Sequence, residues 1–538
     1  MLSKQKIYVF LAAGILINLG AKNSFSTNKV KAVCVPMSDS HPLRYQYHKV
    51  EPIENENNEV CLDVKIGYRL QKNIHADQLA AMIFKDNPLE VSSSPTKTDR
   101  TFHGKAFALD ENGQSRNNLS AKITNHYIEL SADLSHKKET GFYLHFEMPI
   151  QRSINHLKLT TTNEVKSLTI PKGLAGTEFT ATDDPKTTYF GSPRTPSTLL
   201  TAIGTAGKYL SGNIVGDMTK RKFAKAKWNV DNDAWNVADL LFQIGWNGWK
   251  RETSNIGFYG RAVIPTGTEI GKSWAEYTFS PVSGNGKHIE LGIGANAHVD
   301  ICDWDESSFK IDMDGFISYA FSKNQFRTFD LNTGSLTRYA MMKAFDSNLS
   351  YKEATVWGAD ATSQSIDVYI PFKGEFVING IYNWKNHDVN IGYSIKGQQD
   401  EKTSSTLKAP KTYTYGNTAM GDVQSPGTVG SFTQSQITPH SNMNKGSLSD
   451  VTKYDSKDAY TYYGKTINTT TKLNGDMINL RSGLMDAQIL SIIFAGYAYT
   501  FDHEYSPQLG INGSFGISPQ SYYTPEMWDL GIFLKAVF

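Results

Sequence analysis

The chain has 538 residues, enough for several soluble domains by length alone. Its 54 basic residues nearly balance 53 acidic ones, which gives no support to nucleic-acid binding. Three cysteines, Cys34, Cys61 and Cys302, exclude a disulfide framework as the source of stability, although an oxidising compartment would allow Cys34 to pair with Cys61.

The chain opens on a basic start, Lys4 and Lys6, followed by an apolar run over residues 7–19 that only Gly14 and Asn18 interrupt. Small residues come next, with Ala21 or the serines at 24 and 26 as cleavage sites. The run is shorter than the roughly 20 apolar residues of a spanning helix, so residues 1–26 are expected to be a cleaved secretory signal. No later stretch reads as a transmembrane helix. An N-terminal periplasmic segment is expected over 27–57 and a membrane domain over 58–538.

Alternation of apolar and polar residues then predicts strands over 60–69, 79–84, 102–109, 123–134 and 142–150. The middle of the chain repeats the pattern over 240–247 and 255–264. In the clearest case Ile289, Leu291, Ile293, Ala295, Ala297, Val299 and Ile301 form one face, against Glu290, Asn296, His298 and Asp300. The next strand sets Phe309, Ile311, Met313 and Ile317 against Lys310, Asp312 and Asp314. Both run for about 13 residues, above the roughly 9–11 that cross a bilayer as a tilted strand and well above a soluble strand. Further strands are predicted over 366–370, 376–382, 389–395, 489–501, 509–517 and 528–538. The apolar parity flips across Trp384, Lys385, Asn386 and His387, which marks either a tight turn or a bulge.

The connections fall into two classes. Short polar turns sit at 303–307 and 502–506, and long polar insertions at 151–236 and 398–488. The first insertion holds a helix candidate opening at Thr195 and Pro196, then the basic residues Lys220, Arg221, Lys222, Lys225 and Lys227. It reads as a solvated loop or as a plug folded into a lumen. In a compact soluble domain an irregular segment as long as the second would argue against the assignment; on a barrel it is an exposed loop.

No catalytic or metal constellation stands out. Gly267, Gly271, Lys272 and Ser273 approximate a phosphate-binding loop, but the glycine spacing is one residue short and no helix follows. Asp300, Asp303, Asp305, Asp312 and Asp314 match no calcium loop, and His145, Glu147, His298 and Asp300 lack metal-ligand spacing on one strand. No cofactor and no enzymatic activity are expected.

The last strand alternates Trp528, Leu530, Ile532 and Leu534 with Asp529, Gly531 and Lys535, and ends on Phe538. Together with the export signal and the recurring amphipathic strands, it resembles the C-terminal signature strand of bacterial outer-membrane β-barrel proteins. The stretches 237–245 and 263–267 are similar to hairpins in transport barrels of the phenol-degradation outer-membrane type.

The resemblance implies an all-β, antiparallel transmembrane barrel of about 14 strands (range 12–16), with even strand number and long extracellular loops. It implies outer-membrane lipid, the insertion machinery (through Trp528, Leu530, Ile532, Leu534 and Phe538) and small solutes as partners. The face opposite the apolar one gives the expected pore lining: Asp63, Lys65, Arg69, Glu147, Arg261, Glu290, Asn296, His298, Asp300, Lys310, Asp312 and Lys396, with Lys535. Charges of both signs there suit either a wet channel or a cross-linked, closed polar core, so a solute channel and a surface structural or adhesive barrel both stand.

Overall fold

A computed structural model describes residues 60–84, 89–92, 102–103, 114–136, 141–162, 225–226, 231–251, 253–271, 276–332, 338, 341–345, 351–408, 414–417, 460–462, 465–467, 475–518 and 524–538. The export signal, Cys34, the helix candidate at 195–210 and most of the 398–488 insertion lie outside the described residues.

Twelve strands close into an antiparallel barrel, within the expected range of 12–16, and two short ones pair outside it, about 14 in all. Round the wall the order begins with Val60–Asn73, Gln114–His136 and Gly141–Thr162. The next wall strand has two parts, Asp231–Val237 and Leu240–Arg251, both paired to Gly141–Thr162. Then come Ser254–Ile264, Glu290–Trp304, Ser307–Arg327, Gln364–Trp384 and His387–Gln398, the last continued by Lys402–Thr403. Gln488–Thr500, Gln508–Ile517 and Met527–Val537 complete it. The final strand pairs with the first from Asp63↔Val537 to Asn73↔Met527, so the wall has no open edge. Of the two outer strands, Leu89–Ser92 pairs with Gln114–His136, and Phe102–His103 pairs in parallel with Leu89–Ser92.

The period of two sorts the wall into faces. Outward side chains include Ile293 and Ile391, each 65% exposed, with Ile244, Leu530, Ile532 and Leu534 about half exposed or more. So large an exposed apolar surface is unstable in water, and hydrocarbon is the medium that makes it favourable. Among the described residues no helix is long and apolar enough to cross a membrane; this wall crosses with strands. At the short-turn end Trp304, Trp384, Tyr497, Phe501, Tyr505 and Phe538 stand exposed, and Tyr505 contacts the Phe538 ring at 5.3 Å. Such an aromatic girdle marks the level of a membrane interface.

Several elements differ from expectation, among them Gln114–His136, longer than the predicted 123–134, and Asp231–Val237, a strand inside the expected insertion. Residues 79–84 lie in a helix, Ala76–Phe84, because a short apolar run fits either period. The strands predicted at 366–370 and 376–382 form one strand, Gln364–Trp384. The strand predicted over 142–150 continues to Thr162. Beyond Ile150 its outward residues become mostly polar, Arg152, His156 and Lys158 with Ile154 among them, and Arg152 pairs with Asp233 at 2.6 Å on the outer face, so the lipid-facing signal fades while the strand does not. The parity flip at 384–387 is a two-residue turn, with Trp384 opposite His387 and Lys385 at φ 51°.

Candidate functional site

The site is the lumen. All twelve residues expected to line it lie on the inward face. Asp63, Lys65, Arg69, Glu147, Arg261, Glu290, His298 and Asp312 are buried, and Asn296, Asp300, Lys310 and Lys396 are partly buried. Arg69 lies 3.0 Å from Glu129 and 3.7 Å from Asp529, with its guanidinium 3.9 Å from the Tyr127 ring centroid. Glu290 receives Lys373 at 2.6 Å, the Ser318 hydroxyl at 2.7 Å and Arg261 at 3.7 Å. His298 sits between Asp312 at 2.5 Å and Asp300 at 3.0 Å, and His145 between Asp133 at 2.6 Å and Glu147 at 3.2 Å. Lys535 lies 3.9 Å from Asp63. Each of these pairs joins residues on the same strand, on neighbouring strands or on next-but-one strands. These pairs therefore run along the wall, and none of them joins opposite sides.

Aromatic rings pave the same surface. Tyr143, Tyr259, Phe494 and Phe533 lie across the glycines directly opposite them on the neighbouring strand, Gly245, Gly294, Gly392 and Gly510. The absent Cβ lets each ring lie flat against the backbone. The Tyr259 hydroxyl then donates to Asp314 at 2.9 Å, and Asn296 donates to the Tyr143 oxygen at 2.9 Å.

The lumen is occupied near the long-loop end by the segment linking Ser254–Ile264 to Glu290–Trp304, described over 265–271 and 276–288. It turns inward, and Ile270 and Phe279 are almost fully buried. Its anchor is Asp239, at the break between Asp231–Val237 and Leu240–Arg251. That carboxylate accepts the Gly267 and Asn285 backbone N–H groups, and Thr266 donates to the Ala238 carbonyl beside it. Gly284, at φ 76°, meets the same carboxylate where a Cβ would lie 2.5 Å from its oxygen. From the adjacent strand Gly141–Thr162, Gln151 donates to the Val282 carbonyl at 3.3 Å and Asn155 to the Ser280 carbonyl at 3.0 Å. Further out, Arg327 with Glu401 and Arg338 with Asp330 form buried pairs at 2.9 and 2.7 Å.

Between this segment and the wall lies a narrow cleft with an internal volume of about 30 Å³. One wall presents Gln71, Asn125, Tyr127, Gln151, Ser153 and Asn155; the other sides bring Val282, Leu490 and Met527. The expected lining named charges and passed over this uncharged row. Its signal was the alternation of Gln151, Ser153 and Asn155 beyond the apolar part of their strand, and Ile123, inward despite being apolar, obscured the matching row on the neighbouring strand. Among the described residues no group of three or more His, Cys, Asp or Glu side chains could hold a metal ion.

No protein-family model matches the chain, and no curated protein matches it. Solved structures do. An outer-membrane channel from Pseudomonas putida F1 is 8% identical with a TM-score of 0.37, over 91% of this chain and 100% of that one. The toluene transporter TodX of Pseudomonas putida is 7% identical with a TM-score of 0.29, over 96% and 98%. A FadL homologue of Pseudomonas aeruginosa is 8% identical with a TM-score of 0.26, over 89% and 90%. The chain is similar to outer-membrane channels in general barrel architecture, and the likeness goes no further than that.

Proposed function

We propose that the protein is a channel or transporter for small solutes in the bacterial outer membrane, with its lumen closed in the conformation described. The observation that carries this is the division of labour inside the barrel. A barrel of about eight strands is filled by its own side chains, whereas wider ones leave space inside. Here the ion pairs named above run along the wall, and near the long-loop end the connection described over 265–271 and 276–288 folds inward. This segment contributes no strand to the barrel sheet, so its movement would leave the wall intact. The second reading, a surface structural or adhesive barrel with a permanently closed lumen, draws on the burial of those same charges.

Swelling of proteoliposomes in neutral solutes of increasing size separates the two. A channel admits small solutes faster than protein-free vesicles do, up to a size limit. A folded, inserted protein that admits none supports the closed barrel.

A further inference from the structure

We propose that the outer face of Val60–Asn73, Gln114–His136 and Gly141–Thr162, beyond the apolar band at the long-loop end, holds a lipid whose headgroup carries several phosphates or carboxylates. The proposal rests on the wall spanning a bilayer and not on transport.

Strand register stacks the outward side chains here in rows. Tyr68, Ile128, Ile150 and Val237 stand opposite one another and close the apolar band. The next row toward the long loops is Leu70, His126, Arg152 and Trp235, and the one after it Lys72, Thr124, Ile154 and Asp233. Lys122 then faces His156, and further out Lys158 faces Ser120. Lys72, Lys122 and Lys158 therefore lie on one diagonal across three adjacent strands. Diagonal neighbours in adjacent strands are roughly 7–8 Å apart, so one anionic headgroup can reach more than one of them.

The charge of this face is one-sided. Among the described side chains beyond the band, Lys72, Lys122, Arg152 and Lys158 share it with a single carboxylate, Asp233. Arg152 already holds that carboxylate, with Nε 3.0 Å from Oδ1 and Nη2 2.6 Å from Oδ2. Glu526, just before the last strand, lies against His75 at 3.4 Å. Lys122 and Lys158 are exposed, and neither they nor Lys72 form an ion pair among the described residues. Like charges gathered on one face repel, and an anionic partner relieves that repulsion.

The level of these cations selects a lipid. Trp235 is 55% exposed with the Arg152 guanidinium 5.6 Å from its ring centroid, and Lys72 Nζ lies 6.0 Å from the Trp528 ring. Tryptophans directly above an apolar band mark the headgroup level, where lysine and arginine attract anionic lipid. The acyl chains of such a lipid would lie on the row of Ile128, Ile150 and Val237. From Arg152 to Lys158 the strand climbs roughly 20 Å, taking about 3.3 Å per residue. A headgroup with one phosphate meets only the lowest rows; a taller one with several anionic groups meets all three lysines.

Native mass spectrometry of the full chain, released from mild detergent, tests this with rough lipopolysaccharide, phosphatidylglycerol and tripolyphosphate as probes. Lipopolysaccharide should bind about tenfold more tightly than either of the others. Replacing both outer lysines, Lys122→Gln with Lys158→Gln, should weaken its binding about fivefold for each lysine and leave phosphatidylglycerol unchanged. Asp233→Asn frees Arg152 and should strengthen lipopolysaccharide binding, a gain that misfolding cannot produce. Phosphatidylglycerol bound as tightly as lipopolysaccharide, or lipopolysaccharide binding unaltered by loss of the two lysines, would overturn the proposal. Tripolyphosphate bound as tightly would overturn it in favour of a soluble polyanion. None of these readouts needs conductance, so a barrel that binds lipopolysaccharide and passes no solute would end the channel reading and leave this one standing.

Discussion

A Cβ built on Gly294 would lie 2.2 Å from Cζ of the Tyr259 ring, which rests on it from the adjacent strand. Gly294→Ala must displace that ring, and with it the bond from Tyr259 to Asp314 inside the lumen. Overpacking of this kind costs about 1–3 kcal/mol, so the midpoint of urea unfolding in lipid should fall. Gly271, which has open space around it, should accept Ala with no such fall. On the other face, Ile293→Arg sets a charge into hydrocarbon and should cost about 2–4 kcal/mol if it lies at mid-membrane, whereas Ile293→Leu should be nearly neutral. Equal tolerance of the two changes in the same assay would reject the outward assignment. Residue faces were legible from sequence wherever lipid makes one of them apolar: Ile289 to Ile301 alternate as expected. The glycine–aromatic contacts were not legible, because Gly294 meets Tyr259 only through the register of two strands.

Among elements, the inward segment is the one whose sequence gave least warning. Gly267 to Gly271 resembled a failed phosphate loop, and Asp239 fell unremarked within the hairpin-like stretch 237–245. Their contact joins positions far apart in the chain, and no local period encodes it. The helix Ala76–Phe84 was hidden for the opposite reason, since its run of apolar residues carried too little period to separate helix from strand. The strand Gly141–Thr162 was cut short because its outer part leaves the hydrocarbon and loses the apolar face on which the reading depended. The plug that sequence suggested within 151–236 lies largely outside the described residues; the occlusion described comes from the next long connection. Asp239→Ala removes the acceptor of two backbone N–H groups, each costing about 1–3 kcal/mol when left buried and unpaired. Hydrogen exchange should then quicken over 265–271 and 276–288 while Glu290–Trp304 keeps its protection. Unchanged exchange in the segment would show that Asp239 is not its anchor.

For the whole molecule, closure of the sheet is the condition of existence in a bilayer, where each unpaired backbone group costs several kcal/mol. The seam is sealed by Met527–Val537 on Val60–Asn73, and Phe538 extends it by exchanging both backbone bonds with Leu62 at 2.8 and 3.0 Å. If Phe538 is part of the assembly signal, Phe538→Asp should leave exported chain protease-sensitive and urea-extractable, and Phe538→Tyr should insert normally. A fully inserted Phe538→Asp barrel would remove Phe538 from that signal. On the proposed reading the wall encloses a passage closed by a movable segment. Single-channel recording in planar bilayers, with the wild type and Asp239→Ala side by side, tests it most directly. The account predicts brief, small openings in the wild type and larger, longer ones in the variant. A silent bilayer with both proteins folded and inserted would contradict it, as would a steady wide conductance in the wild type that the variant leaves unchanged.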